Sequence, residues 1–226
     1  MTTGILTQLI DNAIVNNQDE VRTYIGASSI GNPCARSIWY RYNNFPAEPR
    51  SHKLLRTFAI GKKLEGVVLD CLEQAGLSLA RTWYDLADKD IPEFQGHVDA
   101  VWMDDIGNPK AILEVKTARD SSFNVFVKRG LKYWYPIYYS QVQSYMGMSG
   151  IHEAYVIALN KDTSDIHDER VIFDPSFYED LKRKALIVMN SIDAPSKING
   201  SPLYFVCRMC SFKEVCHSPS KSERGV

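Results

Sequence analysis

What this sequence lacks narrows it before any motif does. It has no unbroken apolar run of the length a helix needs to cross a bilayer, which argues against a membrane anchor. The opening MTTGILTQLIDNAIVNNQDE has neither a basic start nor a cleavage site, so no secretory leader is expected and the chain is assigned to the cytoplasm. An excess of one charge is missing too: 26 Lys and Arg against 27 Asp and Glu leave a formal net charge of −1, so any nucleic-acid surface must be local. A reducing compartment makes disulfides unlikely, which leaves five cysteines, Cys34, Cys71, Cys207, Cys210 and Cys216, in need of another use. What is present is core material: 226 residues, 45% of them hydrophobic, suit one domain with an appendage.

The most informative stretch is Ile91 to Thr117, IPEFQGHVDAVWMDDIGNPKAILEVKT. Val98, Ala100 and Val101 precede a breaker cluster at Asp104, Asp105, Gly107, Asn108 and Pro109, and the apolar run Ala111 to Val115 follows, which predicts a β-hairpin. Alternation along the second strand puts Ile112, Glu114 and Lys116 on one face and Leu113 and Val115 on the other. A Glu and a Lys two apart are ordinarily a solvated face. Here they lie inside an apolar strand, where a charge is costly unless paired or bound to metal. Asp99 is expected in an equally apolar strand on the other arm. Two carboxylates and an ammonium in a poorly solvated place suit a divalent cation and a phosphate.

Around the hairpin, Thr2 to Val15 has the spacing of an amphipathic packing helix, and Ala35 to Tyr42 that of a short helix after the Asn32-Pro33 boundary. Arg36 and Arg41 on it are either phosphate contacts or surface charge. Leu54 to Ala75 is a helix ending at Gly76, with Phe58, Val68, Leu69 and Leu72 as its apolar face. Glu65 falls within that face, one turn after Gly61, which permits close approach of strand and helix; Cys71 is expected to be a small buried hydrophobe. Leu77 to Leu86 is expected to supply a strand ahead of the hairpin, and Ser121 to Val127 to begin a helix after it.

Lys128, Arg129 and Lys132 then interleave with Tyr133, Trp134, Tyr135, Tyr138 and Tyr139. That mixture suits single-stranded nucleic acid, since bases stack on rings at about 1–3 kcal/mol each, although many such rings are simply core. Gln141 and Tyr145 are four apart on the helix after Pro136 and share a face. Glu153 to Leu159 and Glu169 to Phe173 are paired strands, and Phe177 to Met189 is a covering helix with Pro175 in its first turn. Near the end, Cys207, Cys210 and Cys216 form C-x2-C-x5-C. Three thiolates of that spacing can face one centre, with Cys34 as the fourth ligand and His217 as a competitor. A structural zinc and a [4Fe–4S] cluster both take such a set, and spacing does not separate them.

The run G-H-V-D-A, then E-V-K fifteen residues after the aspartate, resembles the signature of the PD-(D/E)xK nuclease superfamily, with Asp99, Glu114 and Lys116 at its three defining positions. A Q-x3-Y pair following the ExK strand, Gln141 and Tyr145, resembles a further motif of the RecB-like branch. With the early lone cysteine and the terminal C-x2-C-x5-C, the order from Ile25 to His217 is similar to the iron–sulfur nucleases: CRISPR-associated RecB-like exonucleases, the AddB nuclease domain and eukaryotic helicase-nucleases of that type.

The resemblance implies an α/β fold, a central mixed β-sheet flanked by helices in a restriction-endonuclease-like core, with a small cysteine-ligated module joining the N- and C-terminal parts. It divides the chain into a nuclease domain at 1–206, including Cys34, a cluster segment at 207–217 and a loose tail at 218–226. It makes Cys34, Cys207, Cys210 and Cys216 the ligands of a [4Fe–4S] cluster. It gives Glu65, Asp99, Glu114 and the main-chain carbonyl of Val115 to Mg²⁺ or Mn²⁺. Lys116 would orient the attacking water, Gln141 would position that water or a phosphate, and Tyr145 would support the helix or touch the DNA backbone. DNA contacts are expected from Arg36, Lys128, Arg129, Lys132 and Trp134.

The implied activity is metal-dependent hydrolysis of DNA phosphodiesters, acting as an exonuclease on single strands or free ends in recombination, repair or CRISPR adaptation. A helicase, recombinase or CRISPR integrase is the implied partner. The alternatives are a catalytically silent DNA-binding or adaptor protein and an endonuclease trimming DNA within a larger complex. One departure bears on context. Many family members have a histidine where this chain offers Glu65, whereas phage recombination exonucleases similar to lambda exonuclease have a glutamate.

Overall fold

The structure, a computed structural model, describes residues 4–16, 23–81 and 85–218. Its elements begin with α1 (Ile5–Asn16), β1 (Ile25–Gly26), α2 (Ala27–Ile30), α3 (Ala35–Tyr42), α4 (His52–Gln74), β2 (Ser78–Ala80) and β3 (Asp85–Ala87). The middle of the chain holds β4 (Phe94–His97), β5 (Ala100–Met103), β6 (Pro109–Ala118), α5 (Asp120–Arg129), α6 (Leu131–Trp134) and α7 (Pro136–Ser149). Then come β7 (Glu153–Asn160), β8 (Ile166–Ile172), α8 (Pro175–Asn190), α9 (Phe205–Arg208) and α10 (Lys213–His217).

The strands form a five-stranded sheet in the order β2-β5-β6-β7-β8 and a three-stranded sheet in the order β1-β4-β3. In the larger sheet β6 and β7 are parallel, and every other neighbouring pair is antiparallel. A parallel neighbour requires a crossover, and α5, α6 and α7 supply it. The expected hairpin is β5 with β6, paired Ala100 to Leu113 and Val101 to Ile112. Its turn is built by Asp104, whose N–H donates to the Asn108 carbonyl at 2.8 Å and whose carboxylate accepts from the N–H groups of Ile106 and Asn108. A carboxylate satisfying its own turn is why Asp and Asn mark such positions.

The central strand β6 is buried on both faces, and the two faces meet different partners. Leu113 and Val115 pack with Val68 and Leu69 of α4, whereas Ile112 belongs to the main core with Val142, Tyr145 and Met146 of α7. Burying side chains of this size contributes about 1.5–3 kcal/mol each, so a one-residue slip, which would exchange the faces, is strongly opposed. That register aims Glu114 and Lys116 to the same side as Ile112, as alternation predicts.

The two helices flanking β6 start and stop on local signals. Ser51 caps α4 by accepting from the Leu54 N–H at 3.3 Å, and the chain leaves α4 through Ala75 and Gly76, the latter at φ 96°. Gly61 is buried where α4 crosses β6, and a Cβ there would lie 3.4 Å from Thr117 Oγ1, an ordinary contact, so helix and strand pack closely without space demanding the glycine. Helix α7 opens on Pro136, closes on Gly150 in the left-handed region, and is buried from Ser140 to Met146.

Several expectations are corrected. Asp99 is not inside a strand; it occupies the bend where the chain passes from β4 of the small sheet to β5 of the large one. The expected single strand from Leu77 to Leu86 is divided between the two sheets as β2 and β3. Helix α1 forms, but Ile5, Leu6, Leu9 and Ile10 are exposed instead of packed. On α4, Phe58 is 51% exposed and Cys71 is exposed, because only the stripe through Leu64, Val68, Leu69 and Leu72 meets the sheet. The expected tail at 218–226 lies, from residue 219 on, outside the described residues. No helix among the described residues is long and apolar enough to cross a membrane.

Candidate active site

Strand β6 contributes Glu114 and Lys116, the bend before β5 contributes Asp99, α4 contributes Glu65 and α7 contributes Gln141 and Tyr145. Glu114 is 1% exposed, and its Oε1 is doubly engaged: it pairs with the Lys116 ammonium and accepts from Gln141 Nε2 at 2.7 Å. The same Gln141 nitrogen donates to the Tyr145 hydroxyl at 2.7 Å. Asp99 Oδ2 accepts the Val115 N–H at 2.8 Å, fastening the bend to the central strand beside Glu114. Glu114 Oε2 has no hydrogen-bond partner and is the one buried side-chain oxygen or nitrogen among the described residues in that condition. A buried, unsatisfied carboxylate oxygen costs free energy that a structure retains only for a reason.

The charges explain one another. Burial, then the negative charge of Asp99, pushes the Glu114 carboxyl up to about 8, against the pull of Lys116. Burial by itself would lower the Lys116 pKa; the carboxylates of Glu114 and Asp99 outweigh it and hold the ammonium above the ordinary lysine range. Glu65 is raised from the usual carboxylate range by burial and then by Asp99, with Lys116 and Lys62 opposing. Three acids therefore feel one another around one fixed cation, the condition in which added positive charge is most favourable.

A ring that alternation along β6 does not reveal also belongs here. Tyr138 lies 5.1 Å, centroid to Nζ, from Lys116. Burial raises its phenol pKa while the Lys116 charge lowers it. The signal that finds it is its spacing of three from Gln141 and seven from Tyr145 on one helix face.

The remaining candidates are placed as follows. Arg36 donates to the Tyr40 hydroxyl at 3.0 Å and to the carbonyls of Ala194 and Pro195 at 3.2 and 2.8 Å, tying α3 to the segment after α8. These contacts give Arg36 a structural role within the chain. Trp134 stacks on Phe126 with centroids 4.5 Å apart and donates to Ser122 Oγ at 2.7 Å, so its ring is packing material. Lys128, Arg129 and Lys132 are exposed, with Arg129 4.3 Å over the Tyr133 ring and Lys132 4.7 Å over that of Tyr139.

Cys34, Cys207, Cys210 and Cys216 line one cavity of about 560 Å³, together with His217 and Tyr135. Burial, then the neighbouring thiols of Cys34, Cys216 and Cys210, raises the Cys207 pKa. Cys210 Sγ stands 3.6 Å from Ser37 Oγ and accepts the Phe212 N–H at 3.4 Å. Among the described residues, no three His, Cys, Asp or Glu side chains stand close enough together to hold a metal ion, at the cysteines or at the acids. The acidic set nevertheless offers a buried oxygen in want of a positive partner, which fits a hard divalent cation. At the cysteines the side chains share a cavity without being gathered about one centre, so the expected ligation of a [4Fe–4S] cluster or zinc is not supported by this arrangement.

No family model matches the chain, and no curated protein matches it. Among solved structures it is similar to an alkaline exonuclease, LHK-Exo, from Laribacter hongkongensis, at 13% identity and a TM-score of 0.59 over 81% of this chain and 91% of that one. The same exonuclease in complex with dAMP matches at 13% identity and a TM-score of 0.58, over 74% and 87% of the two chains. A third structure, SSO0001, matches at 14% identity and a TM-score of 0.57 over 95% of this chain and 98% of that one. The likeness is one of fold: a mixed sheet flanked by helices, shared with a nuclease.

Proposed function

We propose that this protein is a divalent-cation-dependent deoxyribonuclease acting as an exonuclease on single strands or free ends. The observation that carries the reading is the unpartnered Oε2 of Glu114, sealed beside Asp99 and the Glu114–Lys116 pair. The fold shared with LHK-Exo supports it. Glu65, Asp99, Glu114 and the Val115 carbonyl would hold Mg²⁺ or Mn²⁺. When bound, such an ion polarises a phosphoryl oxygen and acidifies water.

The chain's own groups do the rest. Lys116, kept charged by its two carboxylates, donates to the attacking water and to the oxygen on which negative charge develops. Asp99, fastened by the Val115 N–H, keeps its carboxylate at the site without reorganising. Gln141 keeps the expected role of positioning the water or a phosphate and adds a second through its amide nitrogen, which donates to Glu114 and Tyr145. It fixes which Glu114 oxygen stays free, and Tyr145 fixes Gln141. Burial of these groups excludes bulk water, which strengthens every charge interaction at the site.

The exposed Lys128, Arg129 and Lys132 are the proposed contacts to the DNA backbone. Glu65, together with the fold shared with LHK-Exo, favours a recombination exonuclease with a recombinase as partner over a role in CRISPR adaptation. The cysteine cavity is proposed as a structural clasp between α3 and the C-terminal segment; iron and zinc analysis of the purified protein decides whether a cluster, a zinc ion or neither occupies it. No step of the reaction passes through it.

The deciding assay uses end-labelled linear DNA and covalently closed circles with Mn²⁺ and with EDTA. Cleavage of the linear form alone, abolished by EDTA, is expected; cutting of circles would instead indicate an endonuclease. Lys116→Ala should lower the rate on the order of 10²–10³-fold while leaving DNA binding in place. Undiminished cleavage by that purified variant would remove Lys116 from the mechanism, and a wild type that binds DNA without cutting it would favour the adaptor reading.

A further inference from the structure

Helix α7 presents three polar side chains to β6, and the reaction as described uses only two of them. Tyr138, Gln141 and Tyr145 recur at the spacing of one helix face. Gln141 and Tyr145 are buried and bound to each other, with Gln141 bound also to Glu114. Tyr138, one turn nearer the helix start, differs from both. Its ring is wedged between the Tyr135 ring, centroids 4.2 Å apart, and the Trp134 ring at 5.6 Å, and it lies beside the Lys116 ammonium. Its hydroxyl makes no hydrogen bond among the described residues, yet it is not sealed from solvent as Glu114 Oε2 is. A phenol held rigidly on three sides with its donor left open, next to the lysine assigned to the developing charge, is shaped for something that enters from solvent.

We propose that Tyr138 is a substrate-contacting residue: its hydroxyl donates to a non-bridging oxygen of the phosphate at the scissile bond, and its ring holds the Lys116 ammonium in line with that phosphate. This rests on the nuclease reading above and deepens it. The phenol stays protonated at every working pH, because burial holds its pKa above the ordinary tyrosine value, so it is always a donor. A cation beside an aromatic face gains attraction that increases where water is scarce, which is what keeps Lys116 from turning toward solvent when Glu114 is otherwise engaged. The exposed Tyr135 ring, in contact with Tyr138, extends the same apolar wall outward for the adjoining nucleotide.

The test pairs two substitutions. Tyr138→Phe keeps the ring and removes only the donor; Tyr138→Leu removes both. Binding of a fluorescein-labelled single-stranded oligonucleotide is read by anisotropy in EDTA, and steady-state cleavage of unlabelled DNA is read with Mn²⁺. Tyr138→Phe should weaken binding about tenfold, as expected for a hydrogen bond to a charged acceptor, and raise KM similarly, with kcat within about twofold. Tyr138→Leu should add a drop in kcat of about tenfold, since the ammonium loses its brace. A Phe variant that binds and cleaves like the wild type, in a wild type that does cleave, overturns the phosphate contact and leaves the nuclease reading standing. An unchanged kcat in the Leu variant overturns the bracing. A wild type without cleavage in Mn²⁺ overturns the underlying reading itself.

Discussion

Two regions of this molecule bring together groups that repel when ionised: the acids around β6 and the four cysteines between α3 and the C-terminal helices. They solve the problem differently. At the acids, a fixed ammonium, a glutamine amide and a backbone N–H neutralise or bind some oxygens and leave a single buried one unmatched. At the cysteines, the four thiols line a cavity, and one of them stands against a serine hydroxyl. Unmatched charge acceptors are expensive in a protein interior, and small apolar thiols are not. The first region therefore carries a cost that the proposed chemistry would explain, whereas thiols around a cavity carry no comparable cost.

The sharpest way to break that contrast is Glu114→Gln. The amide keeps an oxygen for Gln141 but removes the charge, so Mn²⁺ binding by calorimetry should disappear. Cleavage should then fall on the order of 10²–10³-fold, the range in which preorganised electrostatic groups act. Retained Mn²⁺ binding would show that the unmatched oxygen has no part in holding a cation.

The two regions also differ in how far they were legible before the fold was known. Glu114 and Lys116 could be placed because a strand has a fixed period of two, and Glu65 because an apolar helix face marks its own intruder. Neither inference needs a distant residue. Asp99 was misplaced because its bend exists only where β4 pairs with β1 and β3 in a separate sheet, a long-range choice invisible in a local run. The contacts of Arg36 were illegible for a similar reason, its carbonyl partners lying more than 150 residues away in the chain. Phe58 and Cys71 were expected in the core, yet only one stripe of α4 touches the sheet, and sequence periodicity does not say how wide that stripe is.

A pH series sharpens the comparison further. The Glu114 carboxyl sits at about 8 in the folded protein against an ordinary value near 4.5, so the folded state holds that proton more tightly than the unfolded chain. Stability from this group is therefore greatest at low pH and declines as pH rises from the ordinary carboxylate range through about 8. A divalent cation takes the proton's place, so its stabilisation should grow over the same window. Thermal unfolding with Mg²⁺ and with EDTA between pH 5 and 9 should show almost no cation effect at the acid end. Above pH 8 the gain should be about 3–6 °C for the roughly 1.4 kcal/mol that a tenfold excess over Kd supplies. A gain independent of pH would mean that the cation and the proton do not compete for Glu114.

The smallest effect on catalysis is expected at the cysteines, and it is the other half of the contrast. Cys207 is buried, and serine in its place puts a hydroxyl among apolar neighbours, costing about 1–3 kcal/mol if it finds no partner. Cys207→Ser should accordingly lower the melting temperature by several degrees while cleavage per folded molecule stays within about twofold. Cys207→Ala, which adds no polar atom, should be milder on the melting temperature and equally silent on cleavage. The cavity does touch the acidic site through Tyr135, which lines it and packs on Tyr138. A Cys207→Ser protein that melts like the wild type but has lost cleavage would show that this contact transmits catalytic geometry, and that the thiols serve the reaction and not just the packing.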